Sequence, residues 1–416
     1  MDSVVIAVVG GGSSYTPELV EGLAAADPTR LPCRELRLFD IDPERLSVMA
    51  SLSQRMLARA GSRIGLASTT DREAALAGAD FVLAQIRVGG MAARHLDESI
   101  PLEFGVIGQE TVGPGGMFKA LRTIPVMLDL AQEIERLAPE AWLLNLTNPS
   151  GIITEALLRH SSVRAIGLCS SPAIYVEELR RRLGRPVTAT WAGMNHTAFV
   201  TRLEWQGADL LDEFIASEKT GEWRDLQRAL HALPVAYLRY TYFQRECVAE
   251  AKAKGGTRAQ EIAEIEAEVF EQARDPGLDT KPEALGRRGG AGYAAAALGV
   301  VEAIINDTGE DAIVSARNNG ALPALPHDCV IEARCAVGAE GVRPHPVGEI
   351  PTAIRGLLQA AKAYELLTVE AAVTGSRETA VQAMLSNPLV PGYREAAGLV
   401  DRLLEAHRQR LPQFER

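Results

Sequence analysis

The sequence predicts an α/β protein whose amino-terminal part is a doubly wound parallel sheet. Ser3–Val9 is a continuous stretch of apolar, mostly β-branched residues, which is typical of a strand buried on both faces of a parallel sheet. Further apolar segments alternate with helical ones as far as residue 185. Polar clusters directly follow several of these segments, at the sheet edge where such folds bind their ligands.

The predicted elements alternate in the way that a doubly wound sheet requires. A helix begins at Thr16-Pro17, because proline is favoured in the first turn of a helix, and a second covers Pro43–Ala60. The predicted strands after the first are Glu35–Phe39, Phe81–Ile86, Ala141–Leu146 and Arg164–Leu168. Alternation at this spacing indicates parallel strands joined by crossover helices.

The pattern changes after residue 185, where long amphipathic helices such as Arg258–Arg274 and Pro351–Leu367 dominate. The predicted strands of this part are Val187–Trp191, Thr197–Trp205, Ala312–Ser315 and Cys329–Cys335. We therefore predict two domains, a nucleotide-binding domain of residues 1–185 and a mixed α+β domain of residues 186–416.

Composition excludes some classes of partner. The net charge of −11 argues against a nucleic-acid or anionic membrane surface, although it leaves room for a small basic pocket. No apolar stretch reaches the roughly 18 residues of a membrane span, and the first residues lack the features of a signal peptide. Five scattered cysteines make a disulfide framework improbable, so a reducing cytoplasm is expected.

The first strand ends in a glycine-rich turn, Gly10-Gly11-Gly12-Ser13-Ser14, which opens a helix. Such a turn lets backbone N–H groups approach a pyrophosphate, so it predicts a Rossmann-type dinucleotide site. The fingerprint is incomplete, because Tyr15 stands where a third small residue is expected. Asp40 ends the second strand, where a carboxylate would accept from both ribose hydroxyls and favour NAD over NADP. The alternative for Asp40 and Asp42 is an ordinary helix cap before Pro43.

Cys169 and His196 each lie next to a predicted strand. Their spacing matches no standard metal motif, so spacing alone favours a buried thiol and a structural histidine. As a metal pair they would suggest zinc before a harder ion.

Five other candidates have ordinary alternatives. Arg94 and Glu110 lie in glycine-rich stretches between strands, which is typical of a substrate loop but also of a solvated surface loop. Tyr237 and Tyr240 share one face of a predicted helix, where aromatic residues more often belong to the core. Arg288 precedes an alanine-rich helix, which predicts either an anion at the helix start or a solvated turn.

Taken together, the motifs resemble the NAD- and manganese-dependent family 4 glycoside hydrolases, and most closely their 6-phospho-β-glucosidases. The resemblance runs through nearly the whole chain. The blocks that carry it are Gly10–Pro17, Phe39-Asp40-Ile41-Asp42, Ile107–Thr111, Asn145–Gly151, Gly167-Leu168-Cys169, Gly193-Met194-Asn195-His196, Tyr237-Leu238-Arg239-Tyr240, Arg288-Gly289-Gly290 and Arg317-Asn318-Asn319-Gly320.

The resemblance implies a lactate/malate dehydrogenase-like fold and an unusual route to hydrolysis. NAD⁺ takes a hydride from C3 of the sugar, and the resulting ketone acidifies the proton on C2. A divalent metal polarises the C2 and C3 oxygens, and a tyrosinate removes that proton. The aglycone leaves by elimination, water adds, and NADH returns the hydride.

The resemblance also implies residue roles. Cys169 and His196 would bind the metal, Mn²⁺ by family usage although another divalent ion would serve. The domain of residues 186–416 would carry substrate, metal and subunit contacts. Tyr237 would be the base, with Tyr240 as the alternative that the pattern cannot separate. Glu110 would raise the basicity of that tyrosine.

Arg94, Asn148 and Arg288 match substrate-contacting positions, and Arg288 suits the sugar 6-phosphate because a guanidinium fork fits that group. Ser170 departs from the family pattern, which has aspartate there in α-specific members and asparagine in 6-phospho-β-glucosidases. Serine is a poor proton donor, so Ser170 favours a β-linked substrate and leaves the aglycone and the phosphate preference open.

We therefore expect a cytoplasmic homodimer or homotetramer that hydrolyses small 6-phospho-β-glucosides with NAD and Mn²⁺. The alternatives are an unphosphorylated glycosidase of the same family, of α-galactosidase or α-glucuronidase type, and an NAD-dependent sugar or hydroxy-acid dehydrogenase. A nucleotide-binding regulator without catalysis is a further alternative.

Overall fold

The computed structural model describes residues 3–289 and 292–415. Gly290 of the Arg288–Gly290 block lies outside these ranges, as do the outermost residues of both predicted domains. The strands are β1 (Val4–Val9), β2 (Cys33–Phe39), β3 (Gly65–Thr69), β4 (Phe81–Ala84), β5 (Trp142–Asn145), β6 (Arg164–Gly167), β7 (Thr188–Met194), β8 (Thr197–Trp205), β9 (Ala208–Asp209), β10 (Leu233–Pro234), β11 (Glu310–Arg317), β12 (Val330–Gly338) and β13 (Gly341–Pro344).

The helices alternate with the first six strands and then form most of the second half of the chain. They are α1 (Thr16–Ala25), α2 (Pro43–Arg59), α3 (Arg72–Leu76), α4 (Gly90–Glu103), α5 (Gly113–Leu137), α6 (Ser150–His160), α7 (Ser171–Leu183), α8 (Leu211–Ser217), α9 (Glu222–Leu230), α10 (Arg239–Tyr242), α11 (Gln244–Ala253), α12 (Arg258–Arg274), α13 (Tyr293–Asn306), α14 (Thr352–Thr374), α15 (Arg377–Ser386) and α16 (Tyr393–His407). None of the helices in the described ranges is long and apolar enough to cross a membrane.

Strands β1 to β6 pair in parallel in the order β3-β2-β1-β4-β5-β6. This is the strand order of dinucleotide-binding sheets. β1 is buried on both faces, with Val5 and Ala7 in one core cluster and Ile6 and Val8 in the other. β3 was not predicted from the sequence, because it is a partly exposed edge strand without a continuous apolar stretch.

The second half of the chain extends the same sheet. β11 pairs antiparallel with β6 at Ser315 and Gly167, and β12 and β13 follow it outward, which gives nine strands in all. The predicted strands Ala312–Ser315 and Cys329–Cys335 lie in this extension. The division at residues 185 and 186 stays a prediction; the six parallel strands lie before it, and the antiparallel strands β11 to β13 that extend the sheet lie after it.

A smaller sheet consists of β7, β8 and β10, with β9 paired to β8. β7 and β8 are antiparallel, with Met194 opposite Thr197, so only Asn195 and His196 connect them. His196 has a φ of 65°, in the left-handed region that non-glycine residues rarely adopt. The short connection therefore fixes the position of His196 relative to both strands.

A buried ion pair joins helices α4, α5 and α16. Both Nη atoms of Arg122 donate to the carboxylate of Asp97, at 2.9 and 2.6 Å, and Nε2 of His407 lies 2.9 Å from Oδ1 of Asp97. All three side chains are almost completely buried. Burial alone would raise the pKa of Asp97, but the contacts with His407 and Arg122 hold it below its usual value.

We expect Arg122→Met to lower the free energy of unfolding by about 3–5 kcal/mol, because it leaves the Asp97 carboxylate buried beside a histidine alone. The measurement is urea unfolding at neutral pH. The control is Arg377→Met, which breaks a two-pronged ion pair with Asp401 whose side chains are about half exposed. The free energy of unfolding of that variant should fall by less than about 1 kcal/mol. Equal losses in the two variants would contradict the prediction.

Candidate active site

A cleft of about 1540 Å³ runs along the edge where the parallel strands end. Its walls include residues that directly follow strands, namely Gly10, Asp40 and Gln85, and Asn148 from the loop after β5. The second half of the chain contributes Tyr237 and Arg288. The cleft therefore brings together polar residues that the sequence analysis identified one by one.

The glycine turn is packed tightly against the strands beside it. Gly10 has a φ of 92°, and a Cβ there would lie 2.7 Å from the carbonyl oxygen of Gln85. The N–H of Gly12 donates to Oδ2 of Asp40 at 2.8 Å, where a Cβ on Gly12 would collide with the carboxylate. Two of the glycines are thus required by contacts within the protein, whatever ligand lies above them.

Asp40 and Asp42 have different partners. The carboxylate of Asp40 accepts hydrogen bonds from the N–H groups of Gly12 and Asp42, and it thereby stabilises the glycine turn. Asp40 also lines the cleft. Asp42 is the residue that caps α2, because its side chain accepts from the N–H groups of Glu44 and Arg45. The helix-cap alternative therefore describes Asp42, and the ribose contact of Asp40 stays a prediction.

The two serines of the turn also contact protein. Ser13 Oγ accepts from the N–H of Tyr15 at 3.2 Å. Ser14 is fully buried and donates to Oε1 of Glu266 at 2.9 Å. Gly11 packs on Leu38, since a Cβ there would lie 2.8 Å from the leucine Cβ. The side chain of Ser14 is thus directed at the second half of the chain.

Cys169 and His196 lie side by side. Cys169 follows β6, His196 forms the turn between β7 and β8, and Sγ is 3.7 Å from Nε2. Both residues are buried. Burial lowers the pKa of His196 to about 4, so the imidazole is neutral at pH 7, which is the form that binds metal ions.

The pair fits one metal ion. Ligand bonds of about 2.3 Å to sulfur and about 2.1 Å to nitrogen place two ligands of one ion about 3–4 Å apart, as the Cys169 and His196 donors are. Across residues 3–289 and 292–415 no group of three or more His, Cys, Asp or Glu side chains is arranged to hold a metal. Two protein ligands would leave the remaining positions for substrate or water, as in open catalytic sites.

Tyr237 stacks on the imidazole of His196, with ring centroids 3.9 Å apart and planes inclined by 23°. It lies in a 3₁₀ turn, Ala236–Leu238, while Tyr240 lies in α10 and packs against the main core. Burial raises the pKa of Tyr237, and the nearby Cys169 and Glu110 raise it further. Of the two tyrosines that the sequence could not separate, Tyr237 is the one in contact with the proposed metal pair.

Glu110 is surrounded by three cations. Lys119 Nζ lies 2.8 Å from Oε2, Arg94 Nη1 lies 3.3 Å from Oε1, and Arg87 also contacts Oε2. Burial alone would raise the pKa of Glu110, but Arg87, Lys119 and Arg94 hold it well below its usual value. The carboxylate is therefore ionised, and it keeps these three cations at one end of the cleft.

Arg87, Lys119 and Tyr293 were missed by the sequence analysis. Lys119 occupies a buried position of α5, where burial and the nearby Arg87 lower its pKa to about 7. Its sequence signal is a charged residue among apolar ones. Tyr293 lines the cleft, and its hydroxyl is 3.3 Å from Nδ2 of Asn148.

Arg288 is buried, and its guanidinium is only partly paired. Nη2 lies 3.4 Å from Oε1 of Glu266, and the group lies 3.9 Å above the ring of Tyr15. Nε and Nη1 have no hydrogen-bond partner in the part of the chain that the structure describes, and the same holds for the buried Oδ1 of Asn148. Two unpaired N–H groups on one planar cation suit an anion such as phosphate.

Two sequence models of protein families match the chain. That of the family 4 glycosyl hydrolases matches residues 5–185, and that of the family 4 glycosyl hydrolase C-terminal domain matches residues 191–390. The chain belongs to the family 4 glycosyl hydrolases. The resemblance found in the sequence is thereby confirmed, and with it the class of enzyme, a glycosidase.

Similar proteins support the family and the fold. A probable 6-phospho-beta-glucosidase of Bacillus subtilis is 43% identical over 431 residues, covering 98% of this chain and 97% of its own. A solved 6-phospho-beta glucosidase of Thermotoga maritima, with manganese, NAD⁺ and glucose-6-phosphate, is 32% identical with a TM-score of 0.90 and covers 98% of each chain. A lactate dehydrogenase from a Medee basin deep-sea metagenome library, 16% identical with a TM-score of 0.57, covers 90% of this chain and 100% of its own. The predicted fold class is confirmed.

If Cys169 and His196 are the metal ligands, Cys169→Ser and His196→Ala should each weaken Mn²⁺ binding by more than about 100-fold, since loss of a ligand exceeds the loss caused by an outer-shell change. The fraction of free Mn²⁺ is measured by electron paramagnetic resonance during titration. Cys335→Ser is the control, because Cys335 is a buried free thiol on β12 that donates to a backbone carbonyl. A Cys169 variant that binds Mn²⁺ as the unaltered enzyme does would contradict this assignment.

Proposed function

We propose that this family 4 glycosyl hydrolase cleaves 6-phospho-β-glucosides with NAD and a divalent metal, Mn²⁺ by preference. One observation carries the proposal: a single cleft is lined by the glycine turn, Tyr237 and Arg288, and Tyr237 stacks on the imidazole of the Cys169–His196 pair. The Bacillus subtilis and Thermotoga maritima relatives support it by their names, and the latter by the ligands in its structure.

The residues present fit both cofactors. The turn from Gly10 to Ser14 and Asp40 would hold the pyrophosphate and ribose of NAD, and Cys169 and His196 would hold the metal. When bound, NAD supplies the hydride acceptor and donor for C3 of the sugar, and the metal polarises the sugar oxygens. The cofactor is restored within each turnover, so the net reaction is hydrolysis.

Tyr237 is the proposed base that takes the proton from C2. Its raised pKa makes the phenolate a stronger base than that of a free tyrosine, while neutral pH leaves most of the phenol protonated until a positive charge lies close by. The position beside His196 provides such a place. The ionised Glu110 opposes loss of the phenol proton and strengthens the base once it has formed.

Arg288 is proposed to bind the 6-phosphate through its guanidinium, of which Nε and Nη1 lack partners among the described residues, with Arg94 and Asn148 contacting the sugar. The free Oδ1 of Asn148 is available to accept from a sugar hydroxyl. Ser170 is buried at the start of α7, on the wall of the cleft. Since a serine is a poor proton donor, this position favours a β-linked substrate.

We further propose a reducing, cytoplasmic setting, in keeping with five cysteines that all stand as free thiols. A homodimer or homotetramer remains the expected assembly, which light scattering would measure.

The test of the function is release of nitrophenol from p-nitrophenyl β-glucoside 6-phosphate in the presence of NAD⁺, Mn²⁺ and a reductant. We expect turnover without build-up of NADH, and little turnover of the unphosphorylated glucoside. Arg288→Met should lower kcat/KM for the phosphorylated substrate by about 100-fold or more, because two charge-assisted hydrogen bonds are lost.

The matched control is Arg287→Met, because Arg287 is the exposed neighbour and pairs with Glu268. It should leave kcat/KM unchanged. Equal turnover of the plain and phosphorylated glucosides, or net NADH formation with each turnover, would refute the proposal.

Tyr237→Phe should lower kcat by about 10²–10⁴-fold, which is the usual contribution of a positioned general base. Tyr240→Phe is the control, because that ring lies 6.2 Å away from Tyr237 and packs against the core. Circular dichroism and NAD⁺ binding should be unchanged in both variants. A greater loss in Tyr240→Phe than in Tyr237→Phe would assign the base to Tyr240.

A further inference from the structure

A second, small cavity of about 40 Å³ borders the imidazole of His196. An ordered water needs roughly 10–15 Å³ of such space and two to four polar partners. The cavity wall includes Asn195, Tyr237 and Glu365 as well as His196, so both requirements are met.

Glu365 is a buried carboxylate with one unused oxygen. It is 6% exposed and extends from α14, and Lys362 donates to its Oε2. Within the described ranges no hydrogen bond reaches Oε1. Lys362 is itself 1% exposed and also donates to Oε2 of Glu155 at 3.0 Å, so the ammonium holds two carboxylates in fixed positions.

Asn195 offers a second acceptor at the same cavity. Its Nδ2 donates to Oε1 of Glu332 at 2.8 Å, which fixes the orientation of the amide. Its Oδ1 is buried and has no partner among the described residues. A buried acceptor of this kind costs free energy unless a donor such as water satisfies it.

His196 needs a partner on its other ring nitrogen. Nε2 faces the thiol of Cys169, and no other hydrogen bond to the imidazole is found in the described part of the chain. Histidines that bind a metal nearly always donate the second ring N–H to a carboxylate, a carbonyl or a water, which sets the tautomer and the ring orientation.

We infer that Glu365 positions His196 for metal binding through a water held in this cavity. The Nδ1–H of His196 donates to the water, and the water donates to Oε1 of Glu365 and to Oδ1 of Asn195. Lys362 keeps the carboxylate in place. Glu365 is thus a positioning residue for the metal, an inference that rests on the proposed metal site at Cys169 and His196.

The test compares Glu365→Gln, Glu365→Asp and Glu155→Gln in the NAD⁺-loaded enzyme, with Mn²⁺ affinity measured from free Mn²⁺ by electron paramagnetic resonance. In Glu365→Gln the amide oxygen stays with Lys362 and the NH₂ group faces the cavity, where it cannot accept from water. Glu365→Asp keeps the charge but withdraws the oxygen by one methylene. Both should bind Mn²⁺ about 10–100-fold more weakly, the usual effect of losing an outer-shell partner.

Glu155→Gln is the matched control, because Glu155 binds the same lysine but does not line the cavity. It should lower the melting temperature and leave Mn²⁺ affinity unchanged. Equal losses of affinity in Glu155→Gln and Glu365→Gln would overturn the inference, and so would full affinity in both Glu365 variants.

Cys169→Ser in the same titration separates this inference from the proposed function. If binding depends on Cys169 but not on Glu365, only the positioning role fails. If Cys169→Ser binds Mn²⁺ as tightly as the unaltered enzyme does, the proposed metal site is wrong, and the inference is wrong with it.

Discussion

The contact between Cys169 and His196 is the point on which the rest of the site depends. Each residue comes from a different sheet, Cys169 from the end of β6 in the large sheet and His196 from the turn between β7 and β8 in the small one. Neither sheet supplies both of the proposed metal ligands, so the pair exists only when the small sheet is docked on the large one. The left-handed backbone of His196 belongs to the short turn that sets the position of the imidazole beside Cys169. A longer, unstrained turn would leave that position less well fixed.

Charge is buried around this contact in pairs and clusters, not singly. Glu110 keeps three cations at one end of the cleft, and Lys362 keeps two carboxylates behind it. Removing the central member of either cluster, Glu110 or Lys362, would leave like charges buried without compensation, which is strongly destabilising. The negative charge of Glu110 also raises the pKa of Tyr237.

Much of the fold follows from the sequence, and the reasons for the exceptions are physical. The continuous apolar pattern of β1 and its alternation with helices were sufficient to predict the parallel sheet. β3 is a partly exposed edge strand with no such pattern, and β11 joins the sheet through a contact with β6 that local sequence cannot encode.

The candidate site residues also divide into those that the sequence predicts and those that it does not. Residues in short motifs could be predicted, because turn residues and strand ends mark their positions. Lys119 and Glu365 lie in long helices, and their surroundings depend on what packs against those helices. Motif spacing therefore does not reveal them, and Lys119 is marked only as a charged residue among apolar ones. Tyr237 and Tyr240 share a spacing that indicates one helix face, yet a 3₁₀ turn separates their surroundings.

Glu266 links the glycine turn to Arg288. Its Oε1 accepts from Ser14 in the glycine turn and also lies near Nη2 of Arg288. A dinucleotide that displaces the glycine turn would therefore change the surroundings of Arg288, the residue proposed to bind phosphate. A phosphate that displaces Arg288 would likewise change the turn. Thermodynamic reciprocity requires these two effects to be equal in free energy, so this shared carboxylate allows each ligand to set the affinity for the other.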